Sequence, residues 1–450
     1  MEPFRFHLFV CTQQKSEGVT SCPASGSFAV LETLDHEIQS RGLTNDVQLT
    51  TCGCMGLCDE GPVMVTYPKG VWYRRVQPSD VSEIVDQHLK HGRTLERLEW
   101  DDASAMKKMS IEHGEHYHAM LAARDKAGML PDHLDQMIRG YQPSRCLLTA
   151  LELDIFTAIG NGATAEQTGK KINANARALN ILLNALVSLG LLSKDAETYK
   201  NTPESARYFV QGSKDNHRNG LLHVANLWQR WSTLTDAVRR GTSVRSERDQ
   251  DAHWTEHFIA AMQRNAQERV PAIVKAIGSK GLKRILDLGG GSGAYSIAFA
   301  KANPEARCEI LDSPDVVPLT AEYVKQAGIA SQVSIRAGDM LTESFGSGYD
   351  LIMLNAICHM FSEEQNRQLF RKAHQALVPN GRLALQDFIL NDQKTGPQHA
   401  ALFSLNMLVS TESGADYSEP EYTTWMKDAG FSGVERINLP GPSDLIVGSA

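Results

Sequence analysis

No stretch of this 450-residue chain approaches the roughly 18 consecutive apolar residues that a membrane-spanning helix needs. The first ten residues hold Glu2 and Arg5 and no long apolar core, so they do not read as a secretory leader. The expectation is a cytoplasmic protein whose thiols stay reduced. An excess of positive charge is also missing. Lys and Arg total 45 against 53 for Asp and Glu, a formal charge of −8. That balance disfavours a grip on phosphate backbones, so neither nucleic acid nor membrane is expected as a partner. Internal repeats and low-complexity tracts are absent, which disfavours repeat arrays and long disordered segments. Beyond residue 58 cysteine is sparse: only Cys146, Cys308 and Cys358, in apolar surroundings, which read as buried free thiols.

What remains is an ordinary globular composition, 42% apolar and 22% charged, in a chain long enough for two or three domains. Residues 1–93 read as a compact α/β unit. It comprises a strand to Cys11, a helix from Ser27 with Phe28, Leu31, Leu34 and Ile38 on one face, a strand at Val47–Thr51, a hairpin around Pro68-Lys69-Gly70 and a closing helix. Residues 94–133 read as a polar helical connector. Its Glu112, His113, Glu115, His116 and His118 are the marks of a solvated helix face more than of a metal site. In 134–250, Thr164 and Asn175 begin two helices, the second with Leu179, Leu182, Leu183, Leu186 and Leu189 inward. A polar hairpin follows, giving a winged helix. Arg177 is the only charge on that second helix, so the reading is structural rather than DNA-binding. From 251 to 450 strands and helices alternate, which predicts a mostly parallel sheet covered on both faces.

Five cysteines crowd the first 58 residues: Cys11, Cys22, Cys52, Cys54 and Cys58. Sets of four thiolates hold zinc or a [2Fe–2S] cluster. Zinc favours two short pairs, and the spacing from Cys11 to Cys22 is wide, which leans toward iron–sulfur. With Thr51–Pro62 and Pro68–Tyr73, residues 4–98 resemble the thioredoxin-like [2Fe–2S] ferredoxins. That resemblance implies Cys11, Cys22, Cys54 and Cys58 as ligands and leaves Cys52 as an extra thiol that competes with Cys54.

The strongest signal further on is Ile285-Leu286-Asp287-Leu288-Gly289-Gly290-Gly291-Ser292-Gly293. A strand runs into glycines that let the backbone approach a ligand, and then into a helix whose free amides face it. Asp312 ends the next strand, where a carboxylate accepts ribose hydroxyls. Asp339 ends a third, with Met340 beside it, suited to an adenine amino group and ring. With Leu179–Gly190, Phe258–Met262 and Ile357–Gln365, residues from about 142 onward resemble the O-methyltransferase family of plant caffeate and bacterial polyketide enzymes. The resemblance implies a helical winged-helix dimerisation domain, hence a homodimer, joined to a class I Rossmann-like domain that binds S-adenosylmethionine (SAM). Gly289, Gly291 and Gly293 then fall at the methionine end, Asp312 at the ribose and Asp339-Met340 at the adenine, with Asp287 counted in the same cofactor site just before the glycines. The whole chain is expected to be a multidomain α/β protein with a thioredoxin-like ferredoxin unit in front.

His359 follows the fourth strand on the side where open α/β sheets bind ligands. An imidazole is suited to take a phenolic proton at neutral pH. In the family a similar His-Asp-Trp motif supplies the base. Here Met360 and Phe361 stand in place of Asp and Trp, which predicts that His359 lacks its usual carboxylate neighbour and leaves C-, N- and S-methylation open. Trp228, Trp231, Phe258, Met262, Phe403 and Met407 are candidates to line a pocket for a flat, apolar small-molecule methyl acceptor. Methyl transfer moves no net electron, so the cluster implies a redox or regulatory role and a redox partner. The competing reading is a redox-sensing or electron-transfer protein whose SAM domain is regulatory.

Overall fold

A computed structural model describes residues 3–15, 19–244 and 254–450. The chain separates into two compact units, Met1–Tyr141 and Gln142–Ala450. The sequence-based boundary between 250 and 251 lies outside the described residues.

The first unit is built on a four-stranded sheet in the order β2-β1-β3-β4. Its strands are β1 (Phe6–Cys11), β2 (Val47–Cys52), β3 (Met64–Tyr67) and β4 (Val71–Tyr73). β1 pairs parallel to β2 and antiparallel to β3, so the connection from β1 to β2 must cross over. Helix α1 (Ser27–Ser40) makes that crossover. Its buried face is Ser27, Val30, Leu34 and Ile38, whereas Phe28, expected inward, is 48% exposed. Phe28 is apolar, but the stripe set by Leu34 and Ile38 at helical spacing continues back through Val30 and Ser27 instead. The closing helix α2 (Pro78–Glu83) begins at a capping box of Gln77 and Asp80 and widens into a π turn over Ile84–Lys90. Helices α3 (Ala103–Lys126) and α4 (Asp132–Arg139) complete the unit.

The second unit opens with α5 (Tyr141–Glu152) and α6 (Ile155–Ile159). Then come α7 (Ala165–Ile172), α8 (Ala176–Ser188), β5 (Leu192–Asp195) and β6 (Thr198–Asn201), a helix–turn–helix with a hairpin wing. Thr164 and Asn175 cap the two helices through their side chains, as the sequence predicts. Leu179, Leu183 and Leu186 are buried in α8, but Leu189 is 39% exposed because it lies past the last turn. Cys308 and Cys358 are buried free thiols, while Cys146 is only half-buried. Helices α9 (Pro203–Tyr208), α10 (Arg218–Trp231), α11 (Leu234–Arg240) and α12 (Trp254–Ile277) lead into the α/β part.

There a seven-stranded sheet has the order β14-β15-β11-β10-β7-β8-β9. Its strands are β7 (Arg284–Leu288), β8 (Arg307–Asp312), β9 (Val333–Ala337), β10 (Tyr349–Asn355), β11 (Leu377–Asp387), β14 (Ser432–Ile437) and β15 (Asp444–Ser449). β7 to β11 run parallel, and β15 returns antiparallel between β11 and β14. Helices α13 (Ala294–Ala302), α14 (Val317–Gln326), α15 (Glu363–Ala376), α16 (Gln398–Ser410) and α17 (Glu419–Asp428) and a short pair, β12 (Ile389–Leu390) with β13 (Tyr417–Ser418), complete it. Separate buried apolar clusters, one around Leu286, Leu354 and Leu385 and one around Ile285, Ile310 and Leu351, give the sheet its two dry sides. The strand order reverses next to β7, where chain order places β8 on one side and β10 on the other. That switch point opens a crevice at the carboxyl ends of the strands. Among the described residues, no helix is long and apolar enough to cross a membrane.

Candidate active site and cysteine centre

The glycine turn after β7 lies at that crevice. Gly289 has φ +66°, and a Cβ there would collide with the Ile357 side chain and come within 3.2 Å of Met340 Cε. The turn therefore stays bare, with Met340 and Ile357 beside it. Asp312 at the end of β8 accepts the Gly291 backbone N–H at 2.8 Å through Oδ2 and the Ser313 N–H at 2.7 Å through Oδ1. Burial raises its pKa, and those two N–H groups pull the other way. Asp339 is exposed at the end of the next strand and accepts the Leu341 N–H at 2.9 Å. Gly293 caps α13 in the left-handed region. Asp287 is fully buried beneath the turn, where it accepts the Ser296 hydroxyl at 2.8 Å, and burial pushes its pKa up to about 7. Asn355, 8% exposed at the end of β10, has a buried Oδ1 without a hydrogen-bond partner among the described residues. A bare glycine turn, strand-end carboxylates and an orphaned amide oxygen fit a nucleoside-bearing cofactor.

His359 sits in a short 3-10 turn, Cys358–Met360, after β10 and is 6% exposed. Contrary to the expectation from Met360, it has a carboxylate neighbour. Its Nδ1 lies 2.6 Å from Asp387 Oδ1, and its backbone N–H donates to Asp387 Oδ2 at 3.1 Å. Asp387 ends β11 and also accepts from the Phe388 N–H and the Tyr422 hydroxyl. The carboxylate comes from the adjoining strand instead of the next residue. With Asp387 accepting, Nδ1 carries the proton and Nε2 is left as the basic nitrogen. Burial alone would lower the His359 pKa, but the charge and hydrogen bond of Asp387, with the charge of Asp416, hold it above the usual histidine value. Asp416 itself is pushed up to about 8 by burial and by Asp387. His359, Asp387 and Asp416 bring one ligand-type atom each within 4.8 Å of one another. Both oxygens of Asp387 already accept protein hydrogens, so the cluster is a hydrogen-bond network.

Among the expected pocket residues, Phe403 meets His359 edge-on, with ring centroids 4.9 Å apart. Phe388, which the sequence did not single out, packs on Phe403 at 4.5 Å. The Trp231 indole donates to Asn406 Oδ1 at 3.2 Å and so ties α10 to α16, which also holds the buried Met407. Phe258 belongs to a separate ring group with His223 and Trp254. Met262 is half-buried one helical turn further along α12.

In the first unit the cysteines gather in two pairs. Cys54 Sγ and Cys58 Sγ are 3.4 Å apart. A hydrogen bond from Cys22 lowers the Cys11 pKa to about 6. The pairs meet at Gly61, where a Cβ would lie 3.0 Å from Cys22 Sγ and 3.1 Å from the Cys58 carbonyl oxygen. Two thiol pairs around a space kept clear by glycine fit a centre with two irons. Cys52 is half-buried, and burial with the charges of Cys11 and Cys54 raises its pKa to about 11. His113 is not the solvated residue expected. Its ring lies within 4.8 Å of Cys54 and Cys58, because α3 packs on the cysteine loop through Ser110 and Met55. Lys15 fills the gap, donating to Cys58 Sγ at 3.2 Å, contacting His113 and lying over the Tyr117 ring at 5.0 Å.

The α/β unit with its glycine turn and buried histidine–carboxylate pair fits a SAM-dependent methyltransferase. Comparison with known proteins agrees. Residues 231–432 match the O-methyltransferase domain, 135–211 the O-methyltransferase dimerisation domain and 5–89 the thioredoxin-like [2Fe–2S] ferredoxin. The 3-hydroxy-5-methyl-1-naphthoate 3-O-methyltransferase of Streptomyces sahachiroi is 30% identical over 328 residues, covering 71% of this chain and 95% of that one. The L-tyrosine C(3)-methyltransferase of Streptomyces lavendulae is 28% identical, covering 72% and 93%. The solved structure of PigF with SAH, a SAM-dependent methyltransferase of Serratia, superposes with a TM-score of 0.67 at 26% identity, over 72% of this chain and all of that one. The chain belongs to the SAM-dependent O-methyltransferase family and carries a thioredoxin-like [2Fe–2S] domain at its front.

Proposed function

We propose that this chain methylates a hydroxyl oxygen on a flat aromatic small molecule, with His359 as general base. The observation that carries the reading is the 2.6 Å contact of His359 Nδ1 with Asp387, which leaves Nε2 free to take a proton. When bound, SAM supplies an activated methyl group. Gly289, Gly291 and Gly293 border its methionine end above the buried Asp287, Asp312 receives the ribose, and Asp339 with Met340 receives the adenine. His359 removes the acceptor proton as its oxygen advances on the methyl carbon. Asp387 fixes the ring and stabilises the imidazolium that results. Phe403 gives the acceptor an apolar wall beside that ring, and Trp231, Met262 and Met407 extend it, with Phe258 one helical turn back from Met262 on α12. The carboxylate beside His359 favours oxygen over carbon as the methylated atom, although the L-tyrosine relative is named for a carbon.

The reading extends to a homodimer. The dimerisation match begins within α4, where Met137 is 75% and Ile138 61% exposed, an apolar surface of the kind a partner covers. Methyl transfer needs no electron, so the [2Fe–2S] domain takes a regulatory part, sensing redox state or docking a redox partner. The test is formation of S-adenosylhomocysteine from SAM with hydroxylated arenes. Wild type should turn over, and His359→Gln should lose about 10²–10⁴ of the rate while keeping its SAM affinity. A wild type that binds SAM and methylates none of them would favour a redox sensor with a regulatory SAM domain.

A further inference from the structure

Helix α12 carries a third member of the stripe that holds Phe258 and Met262. Arg269 lies seven residues beyond Met262, two turns of helix, and so returns to the same face. Its guanidinium carbon is 5.5 Å from the centre of the Phe388 ring. Phe388 is the ring that packs on Phe403, and its centroid is 6.3 Å from that of His359. Arg269 is half-buried. Among the described residues it makes no hydrogen bond or ion pair, and the Phe388 ring is its one polar-type contact. Arg284, the next arginine in sequence, donates to the Ser347 carbonyl oxygen at 2.7 Å.

Arg269 is thus a half-buried guanidinium with no protein hydrogen-bond partner among the described residues, near a histidine that becomes cationic in the proposed reaction. The positive charge of Arg269 already opposes protonation of His359. A bound anion would neutralise it. A second donor on the strand that carries Asp387 also lacks a protein partner. Gln386 is fully buried and precedes Asp387, and its Nε2 has no partner among the described residues. The Tyr295 hydroxyl donates to Gln386 Oε1 at 3.2 Å, which leaves Nε2 as the free end of that amide.

We propose that Arg269 anchors a carboxylate on the methyl acceptor, so that the acceptor is a hydroxylated aromatic acid, not a neutral arene. The planar fork of arginine matches a carboxylate with two parallel hydrogen bonds. Phe388 stacks beneath the guanidinium and holds it in place. The methionine end of SAM also bears a carboxylate. The acceptor is the better source, because the α12 residue over Gly291 is Ile259, ten residues and about 15 Å of helix axis away from Arg269. The inference rests on the acceptor-site reading given above.

The experiment measures calorimetric binding of 1-naphthoate and its neutral isostere 1-naphthamide to the full-length protein saturated with S-adenosylhomocysteine. Wild type should prefer the carboxylate by at least about tenfold. Arg269→Gln should bring the carboxylate down to the level of the amide, and Arg269→Lys should keep part of the preference. Affinity for S-adenosylhomocysteine should stay within about twofold in both variants, which also reports that they fold. Equal binding of the two probes by wild type, or failure to bind either, overturns the proposal. So does an Arg269→Gln variant that keeps the preference, or one that folds but loses the nucleoside, which would assign the guanidinium to methionine. His359→Gln separates the two readings: it should abolish methyl transfer and leave the preference for the carboxylate in place.

Discussion

His359 and Asp387 stand 28 residues apart in sequence and 2.6 Å apart in space, joined through Nδ1 and Oδ1 at the carboxyl ends of neighbouring parallel strands. The pairing fixes both the tautomer and the charge preference of the ring, and each can be tested.

Asp387→Asn should lower kcat by about 10²–10⁴ with little change in SAM affinity, since the ring loses its orientation and the imidazolium its counter-charge. The sign of the pH effect follows from the direction of the shift. Asp387 holds the His359 pKa above its usual value, so if His359 is the base, wild type should lose activity as pH falls through that raised value. In Asp387→Asn the raising charge is gone, and the acid limb of kcat should move to lower pH. An acid limb that stays in place would mean that another group governs it.

Asp312→Ala should weaken SAM binding by about 1.5–3 kcal/mol, the usual worth of hydrogen bonds to a charged group. Titration calorimetry reads it directly. Unchanged affinity would remove Asp312 from the ribose.

Anaerobically purified protein should show the visible absorption of a [2Fe–2S] cluster. Cys11→Ser, Cys22→Ser, Cys54→Ser and Cys58→Ser should each abolish or strongly shift it, and Cys52→Ser should leave it intact. The 3.4 Å approach of Cys54 to Cys58 motivates the choice of Cys54 over Cys52. Metal analysis returning zinc without iron would refute the assignment.

Lys15→Met should move the cluster's reduction potential to a more negative value, measured by titration of the visible bands. The ammonium donates to Cys58 Sγ at 3.2 Å, and a cation there favours the reduced, more negatively charged state. An unchanged potential would show that the contact carries no weight.

How much could be read in advance follows from how each feature is encoded. Gly289 to Gly293 form one continuous segment, and Asp312 and Asp339 end strands that alternation alone predicts. His359 lies beyond the fourth strand as expected, in the loop that the capping box of Ser362 and Gln365 closes at the start of α15. Asp387 was missed because its partner comes from a neighbouring strand: parallel register sets Asn355 opposite Gln386, and no local spacing encodes that. A signal was available, since a carboxylate at the carboxyl end of a strand faces the crevice. Asp416 and Arg269 reach the same neighbourhood from a loop before α17 and from α12. Their roles depend on three elements packing together, which periodicity cannot express. Phe28 and His113 erred in opposite directions. An apolar side chain was assumed to be inside, and a polar one outside, before the neighbouring elements were known.

Asp312 has a consequence beyond its charge. Each of its oxygens is held by a backbone N–H, from Gly291 and from Ser313, with no ligand needed. The carboxylate is therefore held by the backbone before any ligand arrives, and in the proposed site a ribose would meet a receptor that is already ordered. Because one of the two clamps is the glycine turn itself, sugar recognition and the shape of the turn form a single mechanical unit. If Asp312 receives the ribose as proposed, a change that loosens the turn at Gly291 should weaken the preference for ribose over deoxyribose through the Gly291 N–H alone.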